Sequence, residues 1–204
     1  MKIAIIGHGN VGGALAGQWL QAGHEVIIGA RDIASKKLQN LLAKHPQLQT
    51  QDLTQAAEDA EVLLIATPPE IAQSLSEQLG SLNGKILIDA TNAVRHKPDP
   101  YPTAYHAFAS LTEAEVVKCF NTTGFENMAN PSYNGQSLDL FMAGDSESAK
   151  SVARQLALDA GFAECYDFGK ADQVELLEQF ALAWINLAIF QGHGRKIGFK
   201  LLKR

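Results

Sequence analysis

The sequence predicts an α/β chain: a mainly parallel sheet, doubly wound with helices on both faces, and a small helical extension at the C-terminus. Three observations predict it. Short β-rich runs alternate with longer amphipathic runs through the first half. The first apolar run is followed at once by Gly7, Gly9 and Gly12. The stretch from Asp172 to Phe190 is apolar at helical spacing.

In chain order, Ile3–Ile6 reads as a buried strand and Asn10–Ala22 as a helix, with Val11, Leu15, Trp19 and Leu20 on one face and Gly23 as its stop. Glu25–Ile28 is the second strand. Ile33–Lys44 is a helix whose apolar face is Leu38, Leu41 and Leu42. Asp52–Asp59 is a short helix, Val62–Ala66 a strand, Glu70–Leu79 a helix and Lys85–Asp89 a strand. This β-α-β-α order implies parallel pairing through helical crossovers. Thr91 to Leu111 shows little periodicity, and Pro98, Pro100 and Pro102 punctuate a Pro-rich loop from Arg95 to Pro102. Glu115–Cys119 and Asp139–Ala143 are strands, a helix runs from about Glu147 to Ala160, and a strand lies around Ala163–Tyr166. The remainder is expected to be helical to about Phe190 and again near the end. Residues 1–168 therefore form the main domain and 169–204 an extension packed on it or on a second subunit.

With 204 residues, 46 % apolar and 19 % charged, the chain has ample material for one core. A net charge of -5 argues against a nucleic-acid partner. Lys196, Lys200, Lys203 and Arg204 read as a solvated helix end. Cys119 and Cys165 form no CxxC and no metal spacing, and read as buried free thiols of a reducing compartment. No apolar run approaches the roughly 20 residues needed to cross a bilayer. A cytoplasmic chain without membrane contact is expected, and the apolar stripe of Leu176, Leu177, Phe180, Trp184, Leu187 and Ala188 favours a homodimer.

Gly7-His8-Gly9-Asn10-Val11-Gly12 fits GxGxxG between a strand and a helix, which is the context that gives the string meaning. Gly7 makes the tight turn, Gly9 admits a pyrophosphate, and Gly12 lets helix and strand pack closely. The helix start favours phosphate. A Rossmann-type dinucleotide site follows. Such a site usually places an Asp or Glu at the tip of the second strand to hold the adenine ribose. Here that tip reads Gly29-Ala30-Arg31. An arginine there would pair with a 2′-phosphate, which predicts NADP over NAD, with Ser35, Lys36 or Lys37 adding a contact. The alternative is a surface Arg31 with Asp32 on the ribose.

These residues resemble the NADP-dependent reductases of the deazaflavin coenzyme F420, whose fold is shared by the oxidoreductase domain of the STEAP metalloreductases. The resemblance covers nearly the whole chain. It includes the glycine turn, Gly29-Ala30-Arg31, Ala66-Thr67-Pro68-Pro69, Ile88-Asp89-Ala90-Thr91-Asn92, Val117-Lys118-Cys119-Phe120-Asn121-Thr122, Phe141–Asp145 and Arg195–Leu202. It implies that Ala66, Thr67 and Pro68 pass beside the cofactor. It implies that Asn92 approaches the nicotinamide ribose and that Asn121 leads to the nicotinamide. The family often has Ser where Ala30 stands and an aromatic where Pro69 stands.

Hydride transfer between a nicotinamide and a flavin or deazaflavin ring needs stacking and little side-chain acid–base chemistry. No catalytic side chain and no metal site are expected. Thr122, Thr123, Gly124 and Phe125 are expected to floor the acceptor site, Phe125 stacking on the ring or sitting in the core of a helix-capping turn. His8 lies close to phosphate without chemistry, His96 and His106 flank the Pro-rich loop, His193 sits in a turn, and Asp89 is a ribose or a structural residue. Two other functions fit the same residues: a dehydrogenase of a small hydroxy acid or imine, and a non-catalytic NADP-binding redox sensor.

Overall fold

The computed structural model describes residues 1–94 and 96–204, so Arg95, the first residue of the Pro-rich loop, lies outside the described residues. The chain runs β1 (Lys2–Ile6), α1 (Asn10–Gln21), β2 (Glu25–Gly29), α2 (Lys36–Lys44), β3 (Gln49–Gln51), α3 (Leu53–Asp59), β4 (Val62–Ile65), α4 (Ala72–Leu79) and β5 (Ile86–Asp89). It continues with α5 (Ala104–Leu111), β6 (Glu115–Lys118), α6 (Phe125–Ala129), β7 (Ser132–Tyr133), β8 (Gln136–Ser137), β9 (Asp139–Met142), α7 (Glu147–Asp159), β10 (Glu164–Asp167) and α8 (Val174–Ile185).

The first six strands form one parallel sheet in the order β3-β2-β1-β4-β5-β6. That is the doubly wound order, with its switch point between β1 and β4. Ile28, Ile5, Leu64, Ile88 and Val117 stand in one row across five strands. They belong to one core, covered by Leu15 and Trp19 of α1, Leu38 of α2 and Ala153 and Leu156 of α7. The alternate residues Ile27, Ile6, Leu63, Leu87 and Val116 face the other way, onto Leu53 of α3, Leu75 of α4, Phe108 of α5 and Leu177 of α8. Strands buried on both faces explain the unbroken apolar runs of the sequence. The short parallel pair β9–β10 joins the sheet through a single antiparallel bridge, Lys118 with Ala143.

The predicted α/β class holds, and four local expectations are corrected. The stretch read as aperiodic contains α5, whose buried Ala104, Tyr105, Ala107 and Phe108 have helical spacing after the last proline. The helix expected from Ile33 begins only at Lys36, because Asp32 Oδ1 accepts the Ala34 N–H at 2.9 Å and holds a turn. Beyond Asn186–Phe190, a π turn that extends α8, the end of the chain is not helical. It crosses the molecule in extended form instead: Phe199 O accepts from Asp139 N–H, and Asp139 takes Lys200 Nζ at 3.0 Å and the Leu201 N–H at 2.8 Å. Lys200 is thus an anchored residue, and Lys203 lies over the Tyr166 ring, so the basic end is not a solvated helix terminus.

Of the apolar stripe on α8 and its extension, Leu177, Trp184 and Ala188 are buried and Leu176, Leu187, Ile189 and Phe190 are exposed. Cys119 and Cys165 are both buried and free, and the fold brings their sulfurs to 3.6 Å. Among the described residues no helix is long and apolar enough to cross a membrane.

Candidate active site

The glycine turn sits at the switch point. Gly7 has φ +109°, and a Cβ there would run into the Ala66 carbonyl at the end of β4. A Cβ on Gly12 would strike the Gly7 carbonyl and the Ile5 side chain. Around Gly9 the space is open, its nearest neighbour being Lys37 Nζ at 4.0 Å. Helices α3 and α7 close their first turn with a side chain: Asp52 accepts from Gln55 N–H, and Ser146 from Ala149 N–H. Helix α1 has Gly9 as its cap, no side-chain cap and no acid in its first turn. Its leading N–H groups, from Asn10, Val11 and Gly12, have no intrahelical carbonyl to donate to, a start that can take an anion.

His8 is half-buried and faces Ser35 Oγ at 3.3 Å. Burial, reinforced by the Lys37 charge and partly opposed by Asp32, holds its pKa below the ordinary 6.5, so the imidazole is neutral at pH 7. The positive charge here is that of Lys37 and Lys44, which line a cleft of about 310 Å³ beside Gly9 and Asn10. Ala30 is buried at the tip of β2, and Arg31 follows it, exposed and without an ion pair among the described residues. Asp32, the competing candidate for a ribose, already spends one oxygen on its own turn. Lys36 is exposed at the start of α2 and does not line this cleft; Lys37 does.

The other half of the site is gathered from the ends of β4, β5 and β6. Thr67 follows half-buried Ala66, with Pro68 exposed beyond it. Asn92 Nδ2 donates to the Asn121 carbonyl at 2.9 Å, and Asn121 Nδ2 returns a bond to Asn92 Oδ1 at 3.0 Å. Between Lys118 and Asn121 the chain turns through Phe120, a buried non-glycine residue at φ 64°. A second cleft of about 310 Å³ opens here, lined among others by Val11, Asn92, Asn121, Thr123, Phe125 and Trp184. Gly124 caps α6 against Trp184, and a Cβ would meet that ring at 2.7 Å. Thr122, expected on the floor of the acceptor site, is buried and is not in the lining of this cleft. Phe125 packs on the core, as one of its two expected roles has it, and also lines both clefts. The Arg195 guanidinium lies 5.3 Å from the Phe125 ring and 5.4 Å from that of Trp184, with Nε 2.6 Å from Glu126 Oε1. His96 edges a shallow opening next to Asn92, whereas His106 is turned to Thr103 Oγ1 at 2.8 Å.

Three buried polar atoms on this floor have no partner among the described residues: Thr67 Oγ1, Thr91 Oγ1 and Asn121 Oδ1. Unpaired buried groups are costly. Their place, along the strand ends leading away from an open phosphate cradle, fits a dinucleotide that supplies hydroxyl and amide partners.

Beneath the floor lies a buried charge cluster. Lys118 Nζ reaches Asp89 Oδ2 at 2.9 Å and Glu178 Oε1 at 2.5 Å. The other oxygens accept backbone N–H groups, Asp89 Oδ1 from Thr91 and Glu178 Oε2 from Ala93. Burial opposes the lysine's charge, but the two carboxylates outweigh it and hold its pKa above the ordinary value. Asp89 is therefore the structural member of its two expected roles. Glu178, Trp184 and Arg195 were absent from the expected site. A lysine inside the apolar run Val116-Val117-Lys118-Cys119 was the available signal, because such a charge needs a buried partner.

Comparison with known proteins places these features in company. Residues 2–93 match the family model described as NADP oxidoreductase, coenzyme F420-dependent. The F420-dependent NADP reductase of Methanothermobacter marburgensis is 30% identical over 214 residues, covering 93% of this chain and 93% of that protein. The metalloreductase STEAP3 of Rattus norvegicus is 27% identical over 79% of this chain and 32% of its own length. A crystal structure from Arthrobacter sp. FB24, provisionally assigned as an F420-dependent NADP reductase, superposes with a TM-score of 0.83 at 28% identity, covering 100% of both chains.

Proposed function

This chain belongs to the family of F420-dependent NADP oxidoreductases, and from that premise we propose that it passes hydride between NADP(H) and a flavin or deazaflavin acceptor held in the cleft beside Trp184. That it is an NADP-dependent oxidoreductase follows from the family itself; the acceptor and the residue roles are the proposal. The observation that carries it is continuity: Phe125 lines both the cleft at the phosphate cradle and the amide-and-aromatic cleft at the strand ends.

In this proposal the N–H groups of Asn10, Val11 and Gly12 hold the pyrophosphate, with Lys37 beside them. Arg31 takes the 2′-phosphate. Thr67, Asn92 and Asn121 take the nicotinamide ribose and carboxamide. Bound NADPH supplies the hydride. Thr123, Gly124 and Phe125 form one wall for a planar acceptor, and Trp184 and Ile185 the other. The wall excludes water and sets the stacking, which is what transfer between two rings requires. The homodimer expected from the apolar stripe belongs to the same proposal, and sedimentation showing a single-chain species alone would remove it.

The test is NADPH oxidation by the purified protein, with NADH in parallel, against F420, FMN and FAD. NADPH-specific turnover with one of these acceptors is expected. Tight NADPH binding with no turnover on any of them would favour the redox sensor, and turnover of an imine or hydroxy acid would replace the acceptor class.

A further inference from the structure

The cluster of Lys118, Asp89 and Glu178 sets one ammonium against two carboxylates. Each of the four carboxylate oxygens faces an N–H donor: Lys118 Nζ twice, the Thr91 amide and the Ala93 amide. A protonated carboxyl would need an acceptor for its own hydrogen, and the partners here are donors. Both carboxylates are therefore ionised, and the cluster carries a net charge of -1. Lys118 and Asp89 are fully buried and Glu178 nearly so.

The cluster is also close to the cleft. Asp89 and Lys118 are the last residues of β5 and β6. Glu178 holds Ala93, the neighbour of Asn92, and Asn92 and Asn121 are in the cleft wall. Arg195, in the lining of that cleft, is matched by Glu126, and Lys97 and Glu175, one charge of each sign, line the neighbouring pocket with Glu178.

We infer that this buried excess negative charge tunes the bound cofactor: it favours the oxidised nicotinamide, which is positively charged, over the neutral reduced ring, and so makes bound NADPH a stronger hydride donor. The inference rests on the nicotinamide occupying the Trp184 cleft. The phosphates of the cofactor do not change between the two states, so the effect appears in the ratio of affinities and not in affinity as such.

The experiment measures Kd for NADP+ and for NADPH with the wild-type protein and with Glu178→Gln and Asp89→Asn. Removing one negative charge is expected to raise the ratio Kd(NADP+)/Kd(NADPH) by about fivefold in each variant, the size of a partly screened interaction across a protein interior. The two substitutions lie on different elements, α8 and β5, so either one that folds gives the answer. A merely structural role would weaken both ligands alike and leave the ratio unmoved, which overturns the inference. NADPH fluorescence separates the two levels: blue-shifted, enhanced emission on binding reports a nicotinamide inside an apolar cleft. That emission with an unmoved ratio sinks the charge argument alone. Its absence in the wild-type protein sinks the cleft placement, and the inference with it.

Discussion

Around the glycine turn the wall of the site is backbone, with carbonyls of Gly7 and Ala66 packed where a side chain would stand and a helix start left uncapped. Around Trp184 the wall is side chain, and its shape depends on a lysine, two carboxylates and two asparagines drawn from β5, β6, the segments after them, and α8. The first kind of wall is specified by a few adjacent residues that all have to be small. The second is specified by residues that meet only when the sheet is complete, and it can be retuned one side chain at a time.

The largest break in this contrast is expected at the buried lysine. Lys118→Met leaves Asp89 and Glu178 facing each other without their cation, and should lower the unfolding free energy by about 3–5 kcal/mol in urea denaturation. Gly12→Ala should act on the other wall, pushing helix α1 off β1. NADPH and NADH should both bind on the order of tenfold more weakly, since the pyrophosphate cradle serves them equally. Arg31→Ala sharpens the contrast within the first wall. It should cut the preference for NADPH over NADH by about tenfold while leaving NADH affinity close to its starting value; equal losses for the two dinucleotides would return the 2′-phosphate to another residue.

The smallest effect concerns pH. Burial, with Lys37 beside His8 and Lys44 beside His45, keeps both imidazoles below their ordinary 6.5. The folded chain then binds fewer protons than the unfolded chain, so their contribution to stability is complete above the unfolded value and declines as pH falls through 6.5 toward the folded values. Denaturation midpoints measured from pH 7.5 to 5.5 should fall, and the double variant His8→Gln/His45→Gln should flatten that slope.

The same division explains what the amino-acid string discloses. The glycine turn and the parallel strands are legible because their meaning is local: a spacing, a period. Glu178 carries no local mark, and its partner Lys118 stands 60 residues earlier. Helix α5 was hidden by the prolines before it, although Ala104, Tyr105, Ala107 and Phe108 already had the right spacing. Strand β3 was missed because an edge strand of Gln49, Thr50 and Gln51 has no apolar face to show. The tail misled in the opposite direction. Lys196–Leu202 mixes charge and apolar bulk as a helix would, but its backbone is committed to Asp139 at the start of β9, through Phe199 O and the Leu201 N–H.

That tail acts as a strap. Ile197 O receives both Trp184 Nε1 at 2.7 Å and Asn127 Nδ2 at 2.6 Å, and Phe199 stacks on Phe180 with ring centroids 4.5 Å apart. The last residues of the chain thus fasten α8 to α6. Anyone trimming the C-terminus for crystallisation back to Gly194 would be removing the fastening of the wall that carries Trp184.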